Sequence, residues 1–287
     1  MKPVKFTPVA APQGGHMTDT NPTPPMKANL GIGTILGGTF SLYFKNFPLF
    51  FGVVFLPFVL YSLLVEAPMR SEMVVDPANP FGDVGTTLLL MVLSMLLIII
   101  LQAVIVRMSI SLSGGQGAQA GAAIRGAVTG LIPIILLGIV ASIAIAFGFL
   151  LLIVPGLYVM ALLYVYVPAI VFENAGFSAL GRSETLTKGY RWAIVGIVLI
   201  LIVINWIISL IYTGVVVASV MDIGAIASGN PDSAAIATSI PWWLNVLSAA
   251  VQAFILPIGL IASGLVYARL REIKEGGSTG DLLRVFE

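Results

Sequence analysis

Long apolar runs separated by short polar segments dominate this chain of 287 residues. A helix needs roughly 20 apolar residues to cross the ~30 Å hydrocarbon core of a bilayer. Six stretches meet or approach that length, so the pattern predicts an all-α integral membrane protein with six transmembrane helices. The predicted spans cover residues 47–66, 86–107, 131–153, 157–172, 192–220 and 242–268.

The third and fourth spans are the least clearly separated. As one helix, residues 131–172 would measure about 63 Å, twice the thickness of the membrane core. Pro155 and Gly156 predict a break, because proline lacks an amide donor and glycine frees the backbone. The segment 157–172 is short, and it is either a short span or a re-entrant segment buried in protein.

Charged residues favour six spans over five and orient the chain. With the N-terminus inside, thirteen of the fourteen Lys and Arg residues face the cytoplasm and only Arg70 faces outward. Counting carboxylates as well gives a net charge of +6 inside and −5 outside. Loops retained in the bacterial cytoplasm carry this excess of Lys and Arg. We therefore expect a multi-pass protein of the bacterial cytoplasmic (inner) membrane with both termini in the cytoplasm.

The ends of the chain differ from the membrane domain that we predict over residues 30–276. Residues 1–29 contain six prolines and almost no apolar run, which predicts a disordered tail. Met17 offers an alternative start, so it stays open whether residues 1–16 belong to the physiological protein. Residues 277–287 are predicted to form a cytoplasmic C-terminal tail.

A cytoplasmic segment that could lie on the membrane surface precedes each outward span. The predicted interfacial amphipathic helices occupy residues 30–46, 116–130 and 178–188. In the third, Ser178 is a candidate N-cap and Gly189 a candidate residue in the left-handed conformation after the helix. Either the chain contains a threefold internal repeat of interfacial helix, outward span and return span, or such junctions simply attract Lys, Pro and aromatic residues.

Composition narrows the class of protein further. The chain is 58% hydrophobic and 9% charged, whereas soluble domains have about 25% charged residues. It contains no Cys and a single His, His16, in the N-terminal tail. Disulfides, thiol catalysis and Cys-ligated metals are thereby excluded. The basic residues are dispersed along membrane edges, so no nucleic-acid partner is expected.

Several motifs in a fixed order suggest a family. They are GTFSLYFKNF at 38–47, VPGLY at 154–158, PAIVFE at 168–173, ALGRSETLTKGYRW at 179–192 and YARLREIKEG at 267–276. Together they resemble the glycerophosphoryl diester phosphodiesterase membrane domain family and the related YciC-like bacterial membrane proteins, over roughly residues 30–276. The resemblance marks as motif residues Pro155, Gly156, Tyr158, Pro168, Glu173, Arg182, Ser183, Gly189 and Arg271.

The resemblance does not imply hydrolysis by this chain. The family often has Asp at position 269 and Arg at position 273, where this chain has Arg269 and Ile273. In phosphodiesterases with such a region, hydrolysis belongs to a separate barrel domain of about 250 residues. Hydrolysis also needs a metal site or an acid/base pair. The membrane domain has no His and its carboxylates are scattered, so we expect no enzyme activity and no metal or cofactor site.

Polar residues inside the spans and charges at the inner surface supply the remaining hypotheses. Gln102, Asn205 and Gln252 are the only strongly polar residues deep in the spans. All three serve as hydrogen-bonding links between helices, or else Asn205 and Gln252 line a passage for a polar substrate. An ion pair between Glu173 and Arg182 could hold the third interfacial helix in place.

We therefore expect a non-catalytic scaffold or accessory membrane component. It would contact lipid headgroups or a cytoplasmic or membrane protein partner through its inner surface, where basic residues suit anionic lipids. The alternative is a small transporter or permease for an uncharged or lipid-like solute. The sequence predicts no oligomeric state.

Overall fold

The computed structural model describes residues 30–66, 84–220 and 242–276. The two predicted tails, 1–29 and 277–287, and most of the two predicted outer loops lie outside the described residues. Of the described residues, 91% are helical and none lies in a strand. The predicted all-α fold is confirmed.

Nine α-helices follow one another along the described chain, with a π-helical turn at Ser62–Glu66 and a 3₁₀ turn at Gly176–Ser178. The helices are α1 Ile32–Lys45, α2 Phe47–Tyr61, α3 Val84–Ser113, α4 Ala120–Leu151, α5 Ile153–Leu163, α6 Tyr166–Glu173, α7 Ala179–Thr187, α8 Arg191–Val220 and α9 Trp242–Glu275.

Six helical segments of the described chain are long and apolar enough to cross a membrane. They correspond to the six predicted spans, and most extend beyond the predicted bounds. We number them in chain order: span 1 is α2 with the π turn, spans 2 and 3 are α3 and α4, span 4 is α5 with α6, and spans 5 and 6 are α8 and α9.

The turn between spans 3 and 4 lies before the position predicted from Pro155 and Gly156. The chain leaves α4 at Leu152, which is extended with φ −169° and ψ 162°. Pro155 is the third residue of α5, in the first turn, where helical amides have no partner within the helix. Gly156 instead lets spans 3 and 4 pack closely, because a Cβ atom added to Gly148 of span 3 would lie 2.8 Å from the Cα of Gly156. The prediction of the turn at Pro155 and Gly156 is therefore wrong by a few residues.

Span 4 consists of two helices joined at Tyr164 and Val165. Pro168 is the third residue of the second helix, α6, again in a first turn that tolerates proline. The whole span, Ile153–Glu173, has 21 residues. That length suffices for a crossing at 1.5 Å per residue, unlike the shorter segment 157–172 predicted from sequence.

Two of the three predicted interfacial segments are separate helices, α1 and α7. Helix α1 buries Ile35, Thr39 and Tyr43 on one face, and the Tyr43 hydroxyl donates to the carbonyl of Ala253 in span 6 at 3.4 Å. Its amphipathic face therefore packs on the bundle. Burial raises the pKa of Tyr43 to about 12.

The middle segment, 116–130, does not form a helix of its own, because Ala120–Leu151 is continuous. Its small residues pack on neighbouring spans: a Cβ added at Gly126 would lie 3.0 Å from Nη1 of Arg107, and one at Gly130 would lie 3.1 Å from the Ile170 side chain. The alanines favour helix throughout. The threefold repeat stays a prediction.

Candidate functional site

Glu173, the last residue of α6, is the centre of a charged cluster at the predicted cytoplasmic end of the bundle. Arg182 of α7 donates from Nε to Oε2 at 2.8 Å and from Nη2 to Oε1 at 2.7 Å. This two-pronged geometry matches the fork of a guanidinium to a carboxylate. The side chain of Glu173 is 15% exposed. The ion pair expected between these residues is present, and it joins α7 to span 4.

Span 6 completes the cluster from the other side. The Tyr267 hydroxyl donates to Glu173 Oε1 at 2.6 Å, and Arg271 Nε lies 3.5 Å from the same oxygen. Arg271 Nε also donates to Glu275 Oε2 at 2.8 Å, and Arg182 forms an ion pair with Glu275. We call these five residues the Glu173 network. Its two cations balance its two carboxylates, so the network is neutral.

Aromatic rings and strong hydrogen bonds support the network. The ring of Phe172 lies 6.0 Å from that of Tyr267 and 5.9 Å from the guanidinium of Arg271, in cation–π range. The hydrogen bonds from Arg182 to Glu173 raise the pKa of this guanidinium above its ordinary value. Arg182 therefore stays charged at every pH the protein meets.

Ser183, beside Arg182 on α7, satisfies the backbone at the break in span 4. Its Oγ donates to the carbonyl of Leu162 at 2.7 Å and accepts from the amide of Val165 at 3.3 Å. Thr187 Oγ1 donates to the same Leu162 carbonyl at 3.3 Å. Irregular backbone at membrane depth persists only where such partners replace the missing helical bonds. Helix α7 thus packs into the break.

A second group of charges lies where α7 meets span 5. Gly189, with φ 91°, follows α7 in the left-handed conformation expected for it. Arg191 donates to the Tyr158 hydroxyl, and its guanidinium lies 4.9 Å above that ring. Oε1 of Glu184 lies 3.8 Å from Nη2 of Arg191. The Nε of Arg191 is buried and has no hydrogen-bond partner in the part of the chain that the structure describes.

Asn205 and Gln252, predicted as intramembrane polar residues, line one cavity between spans 5 and 6. The cavity measures about 430 Å³, and Tyr164 from the break in span 4 contributes a third polar side chain. Ser209 Oγ lies 3.4 Å from Asn205 Oδ1, within hydrogen-bond reach. Gln102 is half-buried in span 2 and does not line this cavity.

A second cavity, about 510 Å³, lies between spans 1, 2 and 3. The residues that line it are all apolar: Pro48, Leu49, Gly52, Val53, Leu56, Pro57, Ile100, Leu101, Val104, Met108, Ala120 and Ile124. It therefore offers no group for chemistry. Nor do any three His, Cys, Asp or Glu side chains cluster as metal ligands among the residues described.

The structure divides the predicted motif residues into three places. Four of them meet around α7: Glu173, Arg182, Ser183 and Arg271. Two lie beside Arg191, namely Tyr158 and Gly189. The other three belong to helix starts or to the close packing of spans 3 and 4: Pro155, Gly156 and Pro168. Two network members, Tyr267 and Glu275, were not predicted as site residues. Their spacing of four from Arg271 places all three on one helix face, a signal that the sequence contained.

These features define a helical multi-pass membrane protein with a charged network at one end and a partly polar, open cavity between spans 5 and 6. No family model, curated protein or solved structure matches this chain. The resemblance to the glycerophosphoryl diester phosphodiesterase membrane domain family therefore stays a prediction from its sequence motifs.

Proposed function

We propose that this protein is a non-catalytic scaffold or accessory component of the bacterial cytoplasmic membrane, acting through its cytoplasmic face. The observation that supports this is the Glu173 network, which joins span 4, α7 and span 6 into one surface. Fixed surfaces of this kind suit binding, because little conformational freedom is lost when a partner docks.

The same network argues against acid/base catalysis. A general base needs a pKa near the working pH and access to a substrate proton. Glu173 is held by two guanidinium groups and a tyrosine hydroxyl, which favour its charged form and occupy its oxygens. Glu275 is likewise paired with both arginines. Both carboxylates therefore support the structure and do not abstract protons.

The proposal requires that α7 face the cytoplasm, which cysteine labelling tests directly. Gly181 is exposed on α7 with open space around it, and the chain has no native Cys, so Gly181→Cys gives a single accessible thiol. We expect an impermeant maleimide to label this variant only after cells are permeabilised. Labelling of intact cells would reverse the proposed orientation.

The scaffold role is tested by what accompanies the protein. Affinity purification in mild detergent should recover a protein partner in constant ratio, together with bound lipid. The charge-swapped variant Arg182→Glu should lose that partner, because α7 no longer docks on Glu173. Recovery of the same partner with this variant, at equal protein level, would contradict a role for the surface.

The cavity between spans 5 and 6 supports a second candidate, a small transporter or permease for an uncharged or lipid-like solute. Ligand sites are usually apolar cavities with a few convergent polar groups. Here mostly apolar walls carry the carboxamides of Asn205 and Gln252 and the hydroxyl of Tyr164. The spans that line it contain no Asp, Glu, Lys, Arg or His near Asn205, Gln252 and Tyr164. No side chain there would couple transport to an ion gradient.

The double variant Asn205→Leu with Gln252→Leu separates the two candidates. If these carboxamides only link helices, the variant should complement a deletion strain and change stability by about 1 kcal/mol or less. If they bind a solute, it should fold normally and fail to complement. Gln102→Leu, outside the cavity, is the matched control. We expect complementation, and a stable but inactive double variant would favour transport.

A further inference from the structure

The basic residues beyond the Glu173 network form a cluster of their own. Lys188 follows α7, Arg191 begins span 5, and Lys274 lies near the end of span 6. Arg191 Nη2 lies 3.8 Å from Oε1 of Glu184, in the last turn of α7, so Arg191 and Lys188 both lie at the end of that helix. Lys274 also donates to the carbonyl of Thr185, which fixes its position beside α7.

Local carboxylates do not neutralise this cluster. The Glu173 network is neutral, and Arg269 pairs with Glu272 at 2.7 Å. Glu184 is 61% exposed and reaches only Arg191. Over the described residues from Glu173 to Glu275 there are six cations and four carboxylates, a net charge of +2. This excess lies at the cluster.

The side chain of Arg191 is fixed in place, and its charge is available to an anion. Its side chain is only 13% exposed, yet its buried Nε has no partner among the described residues. A buried donor without a partner is costly, so the protein compensates the charge of Arg191 only in part. Tyr158 holds the guanidinium from one side. The fork of arginine is suited to phosphate oxygens.

The surroundings favour a membrane source for that anion. Trp192, next to Arg191, is 64% exposed, and its ring lies 6.4 Å from that of Tyr158. An exposed Trp at the start of a span is typical of the headgroup layer. Basic residues at this depth attract anionic lipids of the cytoplasmic leaflet.

We propose that Lys188, Arg191 and Lys274 bind the phosphate group of an anionic phospholipid. This inference rests on the proposed cytoplasmic orientation and names one ligand of the proposed scaffold surface. The rings of Tyr158 and Trp192 border the site.

The test is a titration of the detergent-solubilised full chain with short-chain phosphatidylglycerol, followed by native mass spectrometry. The variant Lys188→Gln with Lys274→Gln should bind this lipid roughly 10–30-fold more weakly, at about fivefold for each cation removed. Lys188→Gln alone, at an exposed position, should show about a fivefold loss and serves if the double variant is unstable. Phosphatidylcholine should bind wild type and variants alike.

The matched control, Lys45→Gln with Arg125→Gln, removes two exposed cations elsewhere on the same predicted face. It should bind phosphatidylglycerol within about twofold of wild type, since distant surface charges are screened. Equal losses in both double variants, or no loss in either, would overturn the site. Thermal stabilisation by inorganic phosphate alone, equal to that by the lipid, would overturn the lipid assignment. Loss of lipid binding with the protein partner retained leaves the scaffold proposal standing, so the two fail separately.

Discussion

Glu173→Gln is expected to destabilise the protein by about 2–3 kcal/mol. Breaking a buried ion pair costs about 3–5 kcal/mol, and partial exposure reduces this figure. Glutamine keeps one acceptor for Tyr267 but leaves Arg182 and Arg271 without their shared carboxylate. Thermal unfolding in detergent should show a drop in midpoint of roughly 5–10 °C.

Glu272→Gln is the control for this experiment. Glu272 is 48% exposed and forms only an ion pair with Arg269 within the same helix. Such pairs contribute less than about 1 kcal/mol. The double variant Glu173→Gln with Arg182→Gln should lose less than the sum of the single changes, because the two residues share one interaction. Equal midpoints for the Glu173 and Glu272 variants would show that the network does not stabilise the fold.

Ser183→Ala is expected to cost about 2 kcal/mol and to loosen span 4 locally. The side chain of Ser183 is fully buried, and its loss leaves the amide of Val165 without a partner. The carbonyl of Leu162 keeps only the longer bond from Thr187. An unsatisfied buried group costs about 1–3 kcal/mol. Hydrogen exchange of the amides around residues 162–166 should accelerate well beyond that of spans 5 and 6.

Ser178→Ala provides the comparison, because this exposed hydroxyl only donates to the nearby carbonyl of Ala175 at 2.7 Å. Surface changes of this kind usually stay within about 0.5 kcal/mol. The predicted N-cap role of Ser178 is wrong in one respect: Ser178 precedes α7, but its side chain makes no capping bond. Unchanged exchange at residues 162–166 in the Ser183 variant would mean that span 4 holds its break without α7.

The six spans were predictable because the bilayer imposes length and apolarity on any segment that crosses it. The internal geometry of span 4 was not. Proline and glycine at 155 and 156 were interpreted as the turn itself, whereas the turn is at Leu152. Proline tolerates the first turn of a helix as well as a loop, so it locates a helix start only to within a few residues. Pro168 carries the same signal for the second helix of span 4.

The candidate site was predictable in part, for a physical reason. Glu173 and Arg182 lie nine residues apart, and local spacing was enough to pair them. Tyr267 is 94 residues from Glu173, and no pattern in a single sequence encodes a contact at that distance. Asn205 and Gln252 were paired as the lining of a passage because both are polar within apolar spans, and the structure does place them in one cavity between spans 5 and 6.

The distance along the chain between the partners of Glu173 sets an order for assembly during synthesis. Chains emerge N-terminus first. Leu162 meets Ser183 after 21 more residues, so the break in span 4 gains its hydrogen bonds soon after that span is made. Glu173 pairs with Arg182 early, but it gains its hydrogen bond from Tyr267 only after 94 more residues have been synthesised. Arrival of the last span therefore completes the Glu173 network, and a nascent chain stopped before it presents Glu173 and Arg182 without their third helix.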